Sequence, residues 1–252
     1  MKVRRDAWFS DIFGYDVFEV ILYESSSTED WPSACKDLLS TSQSSSAFYY
    51  VKVPTPRVDV VRTLTSIGFH VIDTDITFTR RSGMIEEEAD ERPAVGVDIL
   101  PEHHEAVLAI ASSCFRYSRF HLDPYIPDQL ANSIKRAWVD NYIRRGRGER
   151  LLIGLFDNEP VGFLAILTAD LNSEPTLVID LVGVDRAYQR RGVGKSLVRY
   201  FVNDLSQRNC LLRVGTQTAN IPSIRLYESM GFRMIEAQYV LHAHVRDGKL
   251  QK

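Results

Sequence analysis

Hydrophobic and polar residues alternate along the second half of the chain with two different periods. Residues 101–113 and 128–145 repeat apolar side chains every three or four positions, which predicts amphipathic helices. Residues 150–156 and 161–168 are short apolar runs that end at turns, which predicts strands. The other predicted ranges are strands at 95–99, 176–184, 211–216 and 232–240, a helix that carries Val193, Leu197, Phe201 and Leu205, and a helix at 223–230.

The first 80 residues predict a smaller α/β unit. Its predicted strands lie at 17–23, 47–53 and 69–78, and its predicted helices at 33–40 and 59–67. Gly68 follows the second helix and suits the left-handed conformation of a helix C-terminus. Residues 59–69 and 222–232 are both predicted helices that end in Gly-Phe and lead into a strand, with Leu64 of the first aligned on Tyr227 of the second. The first half is therefore either a degenerate copy of the second or an unrelated unit.

Acidic residues mark the predicted boundary between the two halves. The segment 81–94 contains few apolar residues and carries Glu86, Glu87, Glu88, Asp90 and Glu91. Such a charge run is typical of a solvated linker. The sequence thus predicts an N-terminal α/β domain at 1–80, a linker at 81–94 and a larger domain at 95–252.

Composition and charge exclude several classes of protein. A hydrophobic content of 44% and a charged content of 25% are ordinary for a folded globular protein of 252 residues. The net charge of −3 argues against nucleic acids and anionic membranes as partners, since both are bound through concentrated Lys and Arg. Cys35, Cys114 and Cys210 are too few and too far apart for a disulfide framework or a zinc site. With neither a signal core nor a membrane span in the sequence, we expect a cytoplasmic protein without a metal.

The densest chemical signal is a basic, glycine-containing turn between the strand at 176–184 and the following helix. Gly192 and Gly194 let an anion approach backbone N–H groups at the positive end of the helix dipole. A nucleotide-hydrolysing P-loop would need Gly where Gln189 stands, and a dinucleotide fingerprint would need Gly where Leu197 stands. The remaining interpretations are a pyrophosphate site or a glycine turn that only begins a helix.

Two motifs together resemble the GCN5-related N-acetyltransferase superfamily. The first is Gln189-x-x-Gly192-x-Gly194, and the second is Asn220 followed by Leu226-Tyr227-Glu228-x-x-Gly231-Phe232. The resemblance implies an α/β fold of the α+β type, with a mixed, mostly antiparallel central sheet flanked by helices and preceded here by the smaller N-terminal domain. It also implies transfer of an acetyl group from acetyl-coenzyme A (acetyl-CoA) to an amine, without a metal.

Shorter motifs make the first half similar to the TDP-fucosamine acetyltransferase family. They are Asp11-Ile-Phe-Gly14, Ile67-Gly-Phe69 and Ser118-Arg119-Phe120-His121-x-Asp123-Pro124. This resemblance implies a nucleotide-linked sugar of the 4-amino-4,6-dideoxyhexose type as acceptor, with Arg119, His121 and Asp123 on the substrate side. Arg119 suits a nucleotide phosphate, although Arg119 and Asp123 are equally expected to form a loop-closing ion pair.

The superfamily resemblance also implies how acetyl-CoA is held. The strand at 176–184 and the strand at 211–216 would part to form a slot for the acetyl and pantetheine groups, and the basic turn would hold the pyrophosphate. The residues implied are Leu181, Val182, Val184, Gln189, Arg190, Arg191, Gly192, Val193, Gly194, Lys195, Asn220 and Tyr227.

Three side chains are candidates for proton transfer. Tyr227 matches the position of the general acid that protonates the departing thiolate, and otherwise is a tyrosine packed in the core. The base is Asp180, His121 or ordered water. Strand alternation predicts that Asp180 shares a face with Val184 next to the slot, while the neutral imidazole of His121 suits a base at pH 7.

The leading functional hypothesis is an N-acetyltransferase acting on an amino-sugar nucleotide. The alternatives are an acetyltransferase for a protein N-terminus, a polyamine or another small amine, and a coenzyme-binding regulatory module without turnover. Strands expected to be exposed at the C-terminal edge favour a homodimer.

Overall fold

A computed structural model describes residues 1–22, 45–85, 94–96, 99–171, 174–204 and 210–251. The helix predicted at 33–40, Cys35, Leu205 and most of the acidic linker lie outside these residues. The strands are β1 (Lys2–Arg5), β2 (Asp16–Ile21), β3 (Ala47–Pro54), β4 (His70–Arg81), β5 (Ala94–Gly96), β6 (Arg150–Phe156), β7 (Glu159–Leu171), β8 (Glu174–Val184), β9 (Leu211–Gln217), β10 (Arg233–Arg246) and β11 (Lys249–Leu250). The α-helices are α1 (Ala7–Phe13), α2 (Val58–Ser66), α3 (His104–Ala111), α4 (Asp128–Ile143), α5 (Val193–Asp204) and α6 (Ile221–Ser229).

The described strands form one sheet in the order β1-β2-β3-β10-β4-β9-β8-β7-β6-β5, with β11 paired to β10. The pairs β2/β3 and β8/β9 are parallel, and the other pairs are antiparallel. The predicted mixed, mostly antiparallel sheet is therefore confirmed. No helix of the described residues has the length and apolar character needed to cross a bilayer.

The two halves of the chain repeat one arrangement and exchange their last strands. Each half has a parallel strand pair (β2/β3 or β8/β9), a helix that is followed by glycine (α2 or α6), and a long strand (β4 or β10). Strand β4 pairs with β9 of the second half, β10 pairs with β3 of the first, and β4 and β10 pair with each other. This symmetry favours the predicted internal duplication, which stays a prediction.

The domain division also stays a prediction, but two of its supporting details change. Strand β4 continues to Arg81, and the backbone N–H of Ile85 donates to the Asn203 side chain at 2.8 Å, so residues 81–85 are part of the folded structure. Strand β10, the last long strand, lies inside the sheet between β3 and β4, and the short β11 that follows it pairs with β10. The prediction of exposed strands at a C-terminal edge is therefore wrong for β10, and the homodimer stays a prediction.

Helices cover both faces of the second half of the sheet. The apolar stripe of α5, which includes Leu197 and Phe201, packs on the face formed by Leu152, Leu164 and Ile179. Helices α3 and α4 pack on the opposite face, which carries the alternate residues of the same strands. This is the layered packing expected from an amphipathic helix pattern.

Strand β1 and helix α1 were not predicted from the sequence. Asp6 caps α1 by accepting a hydrogen bond from the Phe9 N–H at 3.0 Å, and Gly14 ends it in the left-handed conformation. The rings of Phe9 and Phe13 lie 5.3 and 6.3 Å from that of Phe120, and Phe9 also contacts Trp138 of α4. Helix α1 thus packs on the segment that precedes α4.

A buried carboxylate fixes this segment to the sheet. One oxygen of Asp123 accepts hydrogen bonds from His242 at 2.6 Å and His244 at 2.8 Å, both on β10, and the other accepts from the Tyr125 N–H at 2.9 Å. All three side chains of the cluster are buried. The histidine N–H groups lower the pKa of Asp123, while burial lowers the pKa of His242 from 6.5 to about 4.

The pKa of His242 predicts loss of stability in weak acid. Between pH 6.5 and 4 the unfolded chain binds a proton at this residue and the folded chain does not, so the free energy of unfolding falls as the pH falls, by about 3 kcal/mol from this group. In His242→Asn the amide can still donate to Asp123 but does not titrate. We expect urea denaturation series from pH 6.5 to 4 to give a shallower dependence for this variant than for the wild type, and equal slopes would contradict the assignment.

Candidate active site

Strands β8 and β9 separate half-way along their length. Their parallel pairing runs from Thr176 opposite Leu211 to Ile179 opposite Val214 and ends there. Beyond that point residues 181–184 pair only with β7, and residues 215–217 only with β4. A cavity of about 590 Å³ occupies the gap. The predicted slot between the two strands is therefore present.

Backbone groups of β8 face this slot. The Asp185 N–H donates to the Val161 carbonyl of β7 at 2.8 Å, and alternation along an antiparallel ladder then turns Val182 and Val184 towards the slot. The Val184 carbonyl accepts a hydrogen bond from the Gln189 side chain at 3.2 Å. The N–H of Val182 thus also faces the slot.

The predicted anion loop joins the slot at the start of α5. Arg190 and Gly192 both have positive φ angles, 63° and 84°, which curve the backbone around one point. The first hydrogen bond of the helix runs from Ser196 N–H to Gly192 carbonyl, so the N–H groups of Val193 and Gly194 precede the helical hydrogen-bond ladder. A Cβ atom added to Gly192 would meet nothing within 4 Å. The loop has the shape and the donors that a pyrophosphate requires.

The predicted coenzyme residues come together at this cavity. It is lined by Leu181, Val182, Val184, Gln189, Arg190, Gly192, Val193, Gly194, Lys195, Asn220 and Tyr227. Arg191 lies beside the cavity, with its guanidinium 5.3 Å from the centre of the Tyr188 ring. Taken together, the parted strands and the loop fit acetyl-CoA.

Helix α6 brings two of these residues to the slot. Asn220 caps the helix by accepting from the Ser223 N–H at 3.4 Å and donates to the Thr216 hydroxyl of β9 at 3.2 Å. Tyr227 is 2% exposed and packs between the rings of Phe78 and Phe232. Burial raises the pKa of Tyr227, so the phenol keeps its proton at neutral pH.

Asp180 does not share a face with Val184, and the sequence prediction is wrong on this point. Leu181 pairs with Ala165 of β7, and Ile179 pairs with the next residue, Ile166. Asp180 therefore has no residue opposite it and forms a β-bulge. The bulge inverts the alternation beyond it. Ile179 faces the α5 side, as Val182 does, while Leu181 faces the α3/α4 side.

The Asp180 carboxylate is held by α4 and the turn that follows it. One oxygen accepts from Trp138 at 2.8 Å, Tyr142 at 2.7 Å and Arg147 at 2.8 Å, and the other accepts from Arg147 at 3.1 Å. These donors outweigh burial and lower the pKa of Asp180. A carboxylate with four hydrogen bonds and a lowered pKa is a poor proton acceptor, so the structure favours Asp180 as a residue that positions its neighbours rather than as the base.

The predicted substrate residues separate in the structure. His121 is held at both nitrogens, by the Ser118 hydroxyl at 2.6 Å and the Asn132 side chain at 3.0 Å, and does not line the cavities described here. Asp123 is buried against β10, so the predictions that it binds the acceptor or pairs with Arg119 are wrong. Burial lowers the pKa of His121, which keeps the ring neutral. Neither residue is positioned to act on a substrate.

Arg119 does face a second cavity, of about 1010 Å³, between the first half of the chain and the sheet. Its guanidinium carbon lies 4.1 Å from the centre of the Tyr50 ring and 4.8 Å from that of Phe120, and its buried Nη1 has no hydrogen-bond partner. The two cavities meet at residues that line both: Ser118, Lys135, Ile179, Asp180, Leu181, Gly215 and Gln217.

Lys135 lies at this junction and was not among the residues predicted from the sequence. It lies on α4 one turn after Ala131 and one turn before Val139, both buried, so the helical repeat itself placed a lysine on the buried face. The lysine is 7% exposed, and its ammonium nitrogen is 4.8 Å from the centre of the Phe115 ring and 5.1 Å from that of Trp138.

Three side chains of metal-ligating type lie together, apart from both cavities. The ligand atoms of Asp123, His242 and His244 are within 4.8 Å of one another. This cluster could not be predicted from the sequence, because Asp123 and His242, 119 positions apart, meet only in the fold. As they stand, these atoms are bonded to one another by short hydrogen bonds.

Gly192→Ala should weaken coenzyme binding. The added methyl group would occupy open space at the loop that would hold the pyrophosphate, and we expect the Kd for coenzyme A to rise about tenfold, equal to about 1.4 kcal/mol. Isothermal titration calorimetry measures this. Gly248→Ala, in the turn between β10 and β11, is the control because Gly248 also has a positive φ and open space around it. An equal loss in both variants would contradict the assignment.

Two curated relatives are similar to parts of this chain. The spore coat polysaccharide biosynthesis protein SpsD of Bacillus subtilis is 28% identical over 143 residues, which are 56% of this chain and 48% of SpsD. The [ribosomal protein bS18]-alanine N-acetyltransferase of Escherichia coli is 33% identical over 97 residues, 38% of this chain and 64% of the enzyme. This chain thus spans about half of the first relative and under two thirds of the second.

The fold has solved counterparts. A GCN5-related N-acetyltransferase from Kribbella flavida superposes with a TM-score of 0.61 at 13% identity, over 94% of this chain and 82% of that structure. Residues 105–232, just over half of the 252 residues, match the acetyltransferase (GNAT) family. Together with the parted strands and the anion loop, this match establishes that the chain belongs to that family.

Proposed function

We propose that this protein transfers the acetyl group of acetyl-CoA to the amine of a nucleotide-linked amino sugar of the 4-amino-4,6-dideoxyhexose type. The observation that carries the proposal is the junction of the two cavities: the slot between β8 and β9 and the larger cavity share part of their lining. The larger cavity has the volume that a ligand of many atoms fills. A bare small amine would leave most of it empty.

The charges in the larger cavity favour an anionic acceptor. Its acidic residues are already paired, Glu19 with Arg4, Asp75 with Lys52, Asp180 with Arg147 and Glu236 with Arg213. Arg119 and Lys135 have no ion pair with a carboxylate within the described residues. The buried guanidinium nitrogen of Arg119, which has no partner, suits phosphate or another anionic group and opposes a polyamine. The similarity to a polysaccharide biosynthesis protein agrees with a sugar acceptor.

The chemistry would be direct transfer at the inner end of the slot. Acetyl-CoA supplies the activated acyl group. The loop amides at Val193 and Gly194 would hold its pyrophosphate, and the Val182 N–H would stabilise the negative charge on the carbonyl oxygen, an interaction worth about 3 to 4 kcal/mol in other acyl transfers. The protonated phenol of Tyr227 would donate to the departing sulfur.

The phenol of Tyr227 can be tested without disturbing coenzyme binding. Tyr227→Phe removes one oxygen from a buried ring, so we expect kcat to fall about a hundredfold or more while the Kd for acetyl-CoA stays within about twofold. Steady-state kinetics and calorimetry measure the two quantities. Tyr200→Phe on α5, outside the cavity linings, is the matched control. Unchanged turnover in Tyr227→Phe would contradict the assignment of Tyr227 as the general acid.

The acceptor is tested by a panel. Purified protein with acetyl-CoA is offered nucleotide-linked 4-amino sugars, peptides with N-terminal alanine, and polyamines, and free thiol is followed. We expect thiol release with the nucleotide sugars. Release with the peptides alone would instead extend to this chain the acceptor named for the Escherichia coli relative. Release with none, while coenzyme A binds, would indicate a binding module without turnover.

A further inference from the structure

We propose that Lys135 is the base of the reaction and takes the proton from the acceptor amine at the junction of the two cavities. This inference rests on the proposed function, because it names the proton acceptor of that same reaction. Neither Asp180 nor His121, the candidates predicted from the sequence, is placed to act as the base, whereas Lys135 is.

The position of Lys135 carries the inference. Among the residues that line both cavities, only Lys135 and Asp180 are titratable. An acceptor in the larger cavity must bring its amine through this junction to reach an acetyl group beside Val182. Since Asp180 is occupied by Trp138, Tyr142 and Arg147, Lys135 is the titratable group left at the point of attack.

The surroundings of Lys135 suit a base more than a permanent cation. The amine has aromatic rings beside it and no hydrogen bond or ion pair among the described residues. Burial, aided by the charge of Arg119, lowers the pKa of Lys135 from 10.5 to about 8. The charged and titratable groups that act on it are Arg119, Asp180, Cys114, Asp75 and His121. A fraction of the amine is therefore neutral near neutral pH, which is the condition a general base needs.

With Lys135 as the base, every proton in the reaction has a donor and an acceptor. The neutral acceptor amine forms the C–N bond, its nitrogen becomes positive and the carbonyl oxygen negative. The neutral amine of Lys135 removes one proton from that nitrogen and becomes an ammonium. The C–S bond then breaks, the sulfur takes the phenol proton of Tyr227, and solvent carries a proton from Lys135 back to Tyr227. The net reaction converts the amine and acetyl-CoA to the amide and coenzyme A.

Two substitutions separate a base from an anion anchor. Lys135→Met removes the base and the charge, whereas Lys135→Arg keeps the charge but cannot lose its proton near pH 8. If Lys135 is the base, both variants lose about a hundredfold or more in kcat, and the ascending limb of kcat/KM near pH 8 disappears. If it only anchors an anion, Lys135→Arg keeps kcat and Lys135→Met mainly raises KM, which would overturn the proposal.

Controls keep the test independent of folding. Lys135→Met removes an unpaired buried amine, so its melting temperature should not fall below that of the wild type. Arg136→Gln, on the next residue of α4 and paired at the surface with Glu105, should retain wild-type kinetics. A kcat for Lys135→Met within about threefold of the wild type would overturn the proposal.

A direct titration distinguishes this proposal from the proposed function. Lysines labelled by reductive methylation with ¹³C-formaldehyde are followed by NMR, and Lys135→Met identifies the resonance of Lys135. A midpoint near pH 8 that moves when coenzyme A binds supports the base even if no acceptor of the panel reacts. A midpoint at or above pH 10 overturns it even if the acetyltransferase activity is established.

Discussion

The separation of β8 from β9 is the constraint on which the rest of the site depends. Two parallel strands that part inside a protein leave backbone N–H and C=O groups without partners, and buried groups of this kind are costly. Here one carbonyl is met by Gln189, while the N–H of Val182 faces the slot. The fold therefore contains a gap with hydrogen-bonding edges, and an extended ligand with its own amide groups satisfies those edges.

The bulge at Asp180 links this gap to the acceptor side. The extra residue turns the Asp180 carboxylate towards α4, where Trp138, Tyr142 and Arg147 hold it. Helix α4 is thereby tied to the strand at the point where the strand begins to part. Lys135, one turn before Trp138, is carried to the same point. A single inserted residue in β8 thus fixes both the end of the slot and the amine beside it.

The sequence was informative where chemistry is local and silent where it depends on pairing between distant segments. The loop at Gln189–Gly194 and the Tyr227 helix are contiguous motifs, and the structure brings both to one cavity. Asp180 was placed on the wrong face because a bulge becomes visible only when the partner strand is known. Asp123 meets histidines more than a hundred positions away. The sequence does contain a sign of Lys135, because a charged residue stands on the apolar stripe of α4. Its meaning becomes clear only when that face of the helix is known to be buried.

Because β4 and β10 cross into each other's half, neither half has a complete sheet of its own. If the chain were cut and the two halves separated, β9 would lose its partner β4, and β3 would lose its partner β10. Each fragment would then present unpaired main-chain groups that recruit any available strand. Each half thus contributes one strand to the other half's part of the sheet. The first half, which lines the larger cavity, cannot move away from the slot between β8 and β9 unless the central strands β4 and β10 separate from their partners. The hydrogen bonds of the β4/β9 and β3/β10 pairs, more than the chain connection between the halves, hold the two repeated parts together.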